Sequence, residues 1–108
     1  MEETVILELI GGVLRVFGEK LREVILYGSV ARGTADADSD VDILLLLSAP
    51  MTRDESDALS EFVSALDLAE GRVFSVIDME EAEYLRWKNV LPFCINVENE
   101  GVSLWKAA

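Results

Sequence analysis

Leu26-Tyr27-Gly28-Ser29-Val30-Ala31-Arg32-Gly33-Thr34-Ala35-Asp36-Ala37-Asp38-Ser39-Asp40-Val41-Asp42-Ile43-Leu44 is the stretch on which the fold and the chemistry of this chain turn. A short apolar run, Val24–Tyr27, predicts a strand leading into Gly28-Ser29, where the missing Cβ lets backbone approach a ligand closely. If residues 29–32 turn into a helix, the free N–H groups at its start face that ligand and favour phosphate. Gly33 breaks the element and a polar loop follows. Asp40 and Asp42 stand at the start of the next strand, and side chains two apart on a strand share a face. Two carboxylates side by side, just ahead of five apolar residues, are costly unless a cation holds them together. Mg²⁺ does this, using carboxylate oxygens together with substrate phosphates. Opposite a phosphate-binding Gly-Ser turn, the arrangement describes metal-assisted nucleotidyl transfer. An Asp-x-Asp alone reads as an acidic turn, capped by Ser39, that enters a strand. Joined to Gly-Ser at this spacing it becomes a specific signal.

The rest of the chain supplies a frame for that segment. Leu7, Ile10, Leu14 and Phe17 recur at spacings of three and four and predict an amphipathic helix over residues 4–18, with Gly11 and Gly12 weakening its middle. Val41–Leu47 is nearly all branched aliphatic, a strand buried on both faces apart from its start. Thr52-x-x-Glu55 is a capping box that opens a helix to about Glu70, ended by Gly71. Val73–Ile77 reads as a third strand, and Asp78-x-x-Glu81 as the N-cap of a helix through about Asn89. Pro92 begins a further short helix, Gly101 ends it, and Val102–Trp105 forms a last strand. The predicted fold class is α/β, an α+β sandwich in which a small mixed β-sheet is flanked by helices.

Composition narrows the chemistry. A 108-residue chain that is 51% hydrophobic is expected to form one domain over residues 1–108 with its own core. No apolar run is long enough to span a bilayer, and no basic segment precedes an apolar one at the N-terminus. With no His, imidazole chemistry and His-ligated zinc are excluded, so any metal is a hard, oxygen-ligated one. The lone Cys94 fits a reducing cytoplasm. The net charge of −12 repels free duplex nucleic acid, whose binding rests on phosphate neutralisation, and suits a basic protein partner. Tyr84, Trp87, Phe93 and Trp105 read as core residues ahead of interface ones.

The Gly28 to Asp42 segment resembles the signature of the nucleotidyltransferase superfamily that includes DNA polymerase β: Gly-Ser, then Gly, then Asp-x-Asp twelve residues after the first Gly. Ala31-Arg32-Gly33 and Ser39-Asp40 resemble its minimal, MNT-type branch, which includes the antitoxins encoded beside HEPN-domain toxins. Glu100-Gly101-Val102-Ser103-Leu104-Trp105 resembles the usual C-terminal ending of that branch. The resemblance implies a nucleotidyltransferase fold in which Gly28 and Ser29 grip the triphosphate of ATP or another NTP. It also implies that Arg32 and Ser39 join the nucleotide-binding residues, with Arg32 equally readable as a partner contact or a surface arginine, and that Asp40 and Asp42 are catalytic and bind Mg²⁺. The implied activity is transfer of a nucleoside monophosphate, AMP from ATP, to a hydroxyl on a partner protein, a HEPN-type toxin.

One position departs from the pattern. Active members carry a third carboxylate on the strand after Asp-x-Asp, and in Val73-Phe74-Ser75-Val76-Ile77-Asp78-Met79 the favoured alignment puts Ser75 there. Asp78 lies three residues on, and a regular strand points it to the opposite face. The third position therefore stays open between Ser75 and Asp78. Two functions stay open with it: a transferase, and a nucleotide-binding or neutralising antitoxin subunit impaired at Ser75. Base preference, acceptor and oligomeric state are not written in the sequence.

Overall fold

Residues 1–108 are described by the structure, a computed structural model. The elements run α1 (Glu3–Phe17), β1 (Leu21–Tyr27), α2 (Gly28–Arg32), β2 (Val41–Leu47), α3 (Arg53–Glu70), β3 (Phe74–Glu80), α4 (Glu81–Trp87), α5 (Pro92–Glu100) and β4 (Val102–Lys106), with a 3₁₀ turn at Gly18–Lys20. The four strands form one mixed sheet in the order β3-β2-β1-β4. β1 is antiparallel to both β2 and β4, whereas β2 and β3 run parallel. Parallel neighbours need a long crossover, and α3 supplies it.

β2 is a near-continuous aliphatic run because both its faces are covered. Val41, Ile43, Leu45 and Leu47 pack with Val5, Leu9, Val13 and Phe17 of α1 and with Leu59 and Leu66 of α3. Leu44 and Leu46 point the other way and meet Tyr84 of α4 and Cys94 and Val97 of α5. Each such leucine contributes about 1.5–3 kcal/mol by leaving water. The alternation also fixes the site. Asp42 lies between Val41 and Ile43, so its side chain leaves on the α4/α5 face.

Several expected boundaries hold. The Thr52 hydroxyl accepts from the Glu55 N–H while the Glu55 carboxylate accepts from the Thr52 N–H, a complete capping box at the head of α3. Gly71 ends α3, and Pro92 stands at the start of α5. Gly12, read from sequence as a weak point of α1, has a packing reason: a Cβ there would collide with the Phe62 ring of α3. The four aromatics are packing residues. Tyr84 is buried, and Trp87, Phe93 and Trp105 lie partly buried against the two cores.

One expectation fails. Asp78 does not cap the helix after β3, because the residue preceding α4 is Glu80 and it makes no side-chain cap. The parallel ladder continues to Leu47↔Glu80, so three more residues stay extended than the local capping signal predicts. Likewise β1 begins at Leu21 rather than Val24 because Leu21 pairs with Leu47. No helix is long and apolar enough to cross a membrane.

Candidate active site

β1 ends where β2 and β3 begin, and at that edge Tyr27, Asp42 and Ser75 form one row across three strands: Tyr27↔Asp42 in the antiparallel pair and Asp42↔Ser75 in the parallel one. Residues in register share a face, so all three side chains emerge on the α4/α5 side. Tyr27 packs there against Phe93 of α5, edge to face with ring centroids 5.3 Å apart.

Gly28 follows Tyr27 with a φ of 76° and swings the chain off the strand into α2. Its missing side chain is required twice over. The backbone lies in the left-handed region that L-residues avoid, and a Cβ would run into the Asp42 carboxylate oxygen Oδ2. The Asp42 carboxyl therefore occupies the hollow that glycine leaves. Ser29 stands next, its backbone carbonyl accepting from the Thr34 N–H at 3.0 Å. α2 closes at Gly33 in a left-handed conformation.

Arg32, at the end of α2, donates from Nη1 to Glu100 Oε2 of α5 at 2.8 Å, with both side chains partly exposed. Asp40 is exposed, just outside β2, and Asp42 is half-buried. Burial pushes the Asp42 carboxyl above its ordinary range, the Asp40 charge pushes it further, and Arg32 opposes both. Burial, and then the charge of Asp42, raises the Tyr27 phenol in turn. Asp40, Asp42, Arg32 and Gly28 are thus brought together. Ser39 lies beside them, but its hydroxyl is engaged within the loop, accepting from the Asp36 N–H at 3.1 Å and donating to Asp36 Oδ1 at 3.2 Å. Its carbonyl accepts from Arg72 Nη2 at 3.0 Å.

Ser75 stands on the same face as Asp42. Asp78 pairs with Leu45 and is exposed on the opposite face, so it does not join them. Nowhere does a group of three or more His, Cys, Asp or Glu side chains converge. Two carboxylates nevertheless fit a hard divalent cation completed by phosphate oxygens. Asp42 is held in the Gly28 hollow at a cost from burial and from Asp40 that a bound cation would relieve.

Three neighbours of the site were not singled out from sequence. Tyr27 carried a usable signal, as the last strand residue before Gly-Ser. Arg72 carried none, since its contact reaches across 33 residues, and Glu100, although it opens the C-terminal motif, gave no sign of its bond to Arg32, 68 residues away.

Comparison with known proteins bears on the family and the fold. Residues 8–103 match the sequence profile of the nucleotidyltransferase domain. A Methanocaldococcus jannaschii protein provisionally named a protein adenylyltransferase is 40% identical over 53 residues, covering 49% of this chain and 54% of the relative. The matched part therefore spans about half the length of that relative. A provisionally named nucleotidyltransferase from Sulfolobus solfataricus superposes with a TM-score of 0.62 at 27% identity, over 95% of this chain and 78% of that one. Two further likenesses, below 25% identity, bear on the fold alone. One is to a toxin–antitoxin complex with AMP-PNP (TM-score 0.66, 24% identity, 94% of this chain and 73% of that one). The other is to a complex of tri-AMPylated Shewanella oneidensis HEPN toxin with MNT antitoxin (TM-score 0.61, 21% identity, 99% and 74%). Because the profile match extends over most of the sequence and includes both the Gly-Ser turn and the paired aspartates, this chain belongs to the nucleotidyltransferase domain family.

Proposed function

We propose that the chain binds ATP or another NTP with Mg²⁺ and acts as an MNT-type antitoxin, transferring a nucleoside monophosphate to a hydroxyl of a HEPN-type partner protein. The observation that carries this reading is the Asp42 carboxyl seated in the hollow of Gly28, with Asp40 alongside. The named neighbours support it by analogy: a toxin–antitoxin complex that holds AMP-PNP, and an AMPylated HEPN toxin beside an MNT antitoxin.

In this reading Asp40 and Asp42 hold the metal, and Gly28 and Ser29 hold the triphosphate. Arg32 turns from Glu100 toward phosphate, and Ser39 supports the loop that carries Asp40. When bound, magnesium would neutralise phosphate charge and polarise the reacting phosphoryl group. The acceptor oxygen attacks the α-phosphorus, the bond from that phosphorus to the bridging oxygen breaks, pyrophosphate leaves, and the hydroxyl proton passes to solvent. Ser75 carries no charge with which to assist that proton, so transfer is expected to be slow. The net charge of −12 suits a basic partner surface and steers encounter with it, which salt should slow. ATP and such a partner would be met in the cytoplasm.

Ser75 favours a second reading, in which the chain binds nucleotide and neutralises its partner without modifying it. Incubation of α-labelled ATP and Mg²⁺ with a HEPN-type partner separates the two. Label appearing on the partner, and lost with Asp42→Asn, supports the transferase. Nucleotide binding without label on any acceptor supports the binding subunit.

A further inference from the structure

Asp40 lies outside β2, in the one stretch of the site that belongs to no helix or strand. Gly33 and Thr34 tie the start of this loop to the Val30 and Ser29 carbonyls of α2, but the bonds among residues 36–39 are the loop's own: Ser39 N–H to the Asp36 carbonyl at 3.2 Å, Asp38 N–H to Asp36 Oδ1 at 3.0 Å, and the Asp36–Ser39 pair described above. Such a loop holds its shape but does not fix where that shape sits relative to the sheet. Two bonds from adjacent residues at the head of β3 do so. Arg72 Nη2 donates to the Ser39 carbonyl at 3.0 Å, and the Val73 carbonyl accepts from the Val41 N–H at 2.9 Å. Asp40 is the residue between those two contacts. The peptide on each side of it is therefore tied to the strand that begins beside Asp42.

Arg72 holds this place at a cost. Its Nε is buried and has no hydrogen-bond partner, and leaving a buried donor unpaired is unfavourable by about 1–3 kcal/mol. Arg72 lines a cavity of about 540 Å³ on the α1/α3 side of the sheet together with Val41 and Phe74 and with Glu2 and Glu70. The planar guanidinium does what a methionine or leucine cannot: it reaches from the sheet to a backbone carbonyl at a set distance and angle.

We propose that Arg72 is a positioning residue for the metal site, clamping the Ser39–Asp40 peptide so that the Asp40 carboxylate is held beside Asp42 before any cation or nucleotide arrives. The proposal rests on the reading of Asp40 and Asp42 as metal ligands. Outer partners of this kind are worth roughly 10–100-fold in metal affinity, because a ligand that must be ordered on binding weakens binding by the cost of ordering it.

The test uses Mn²⁺ with saturating non-hydrolysable ATP analogue, followed by electron paramagnetic resonance, on wild type, Arg72→Met, Arg72→Lys and Asp42→Asn, with Arg86→Met as a surface control. Arg72→Met is expected to lower Mn²⁺ affinity about 10–100-fold and to speed amide hydrogen exchange over residues 38–41. Arg72→Lys should lie between wild type and Arg72→Met, and Arg86→Met should match wild type. Arg72→Lys keeps a cation and a long stem, and guards against a methionine variant that does not fold. Any folded Arg72 variant that binds Mn²⁺ as tightly as wild type, while Asp42→Asn does not bind, overturns the role of Arg72 and leaves the metal site standing. Wild type that binds no Mn²⁺ overturns both.

Discussion

Ser75 stands directly across the sheet from Asp42, in a parallel pair whose register sends both side chains out of the same face. A carboxylate at position 75 would therefore join Asp40 and Asp42, whereas a serine leaves the set at two. Ser75→Asp is expected to raise nucleotidyl transfer to a partner hydroxyl by about 10²–10⁴-fold, the usual worth of a positioned base. Asp78, opposite Leu45 on the other face and capping no helix, should tolerate Asn with a stability change within about 0.5 kcal/mol and unchanged transfer. Steady-state assays with labelled ATP compare the two variants. An inert Ser75→Asp beside an inactive Asp78→Asn would contradict the strand register.

Gly28→Ala is expected to damage fold and site together. The φ of 76° is strained for alanine, and the new methyl displaces the Asp42 carboxylate. Backbone strain alone costs about 1–3 kcal/mol, measurable by urea unfolding. Nucleotide binding should fall by more than this stability loss accounts for. Gly33→Ala, strained in backbone but with open space around its Cβ, separates the two effects: it should lose stability yet retain more of the nucleotide affinity.

Arg32→Ala tests the phosphate role against a structural one. Its ion pair with Glu100 is partly exposed, so the stability loss should stay below about 1 kcal/mol. A charge-assisted contact to phosphate is worth roughly 1.5–3 kcal/mol, so ATP affinity should fall about 10–100-fold. Glu100→Gln, which releases Arg32 from its partner, should not weaken ATP binding. Calorimetric titration reads both.

Glu55 gives a pH dependence far from the site. Its carboxyl is held below the usual range, first by the hydrogen bond from Lys20 at 2.7 Å and then by the Thr52 N–H. A depressed folded pKa contributes stability that is present above the unfolded pKa and lost as pH falls through the folded one. The melting temperature of wild type relative to Glu55→Gln should therefore be highest near neutral pH and shrink as pH drops below the ordinary carboxylate range. Thr52→Ala, which removes the other half of the capping box, should cost about 1 kcal/mol.

How much of this was legible in the sequence follows the range of each interaction. The Gly-Ser turn, the buried run of β2 and the Thr52 box are signalled by residues within a few positions of one another and are found where they were expected, whereas of the Asp-x-Asp pair only Asp42 lies in β2 and Asp40 stands in the loop before it. Asp78 was misread as a cap because a local Asp-x-x-Glu pattern competed with a ladder that only β2 could reveal. Gly12 looked like a defect because Phe62, its reason, lies fifty residues along the chain. The same blindness hid Arg72 and Glu100, whose partners are set by how α3 and α5 return to the sheet.

If Asp40, Asp42 and Gly28 together form the proposed metal-dependent nucleotide site, calorimetric titration of ATP into the chain with and without Mg²⁺ will show it. Wild type is expected to bind ATP only with Mg²⁺, and neither Asp40→Asn nor Asp42→Asn is expected to bind it under either condition. The same site should appear as a Mg²⁺- and ATP-dependent rise in wild-type melting temperature, since a ligand bound only by the folded state stabilises it by mass action. Wild type with no binding at millimolar ATP and Mg²⁺, or aspartate variants that bind as tightly as wild type, would show that these residues form no such site.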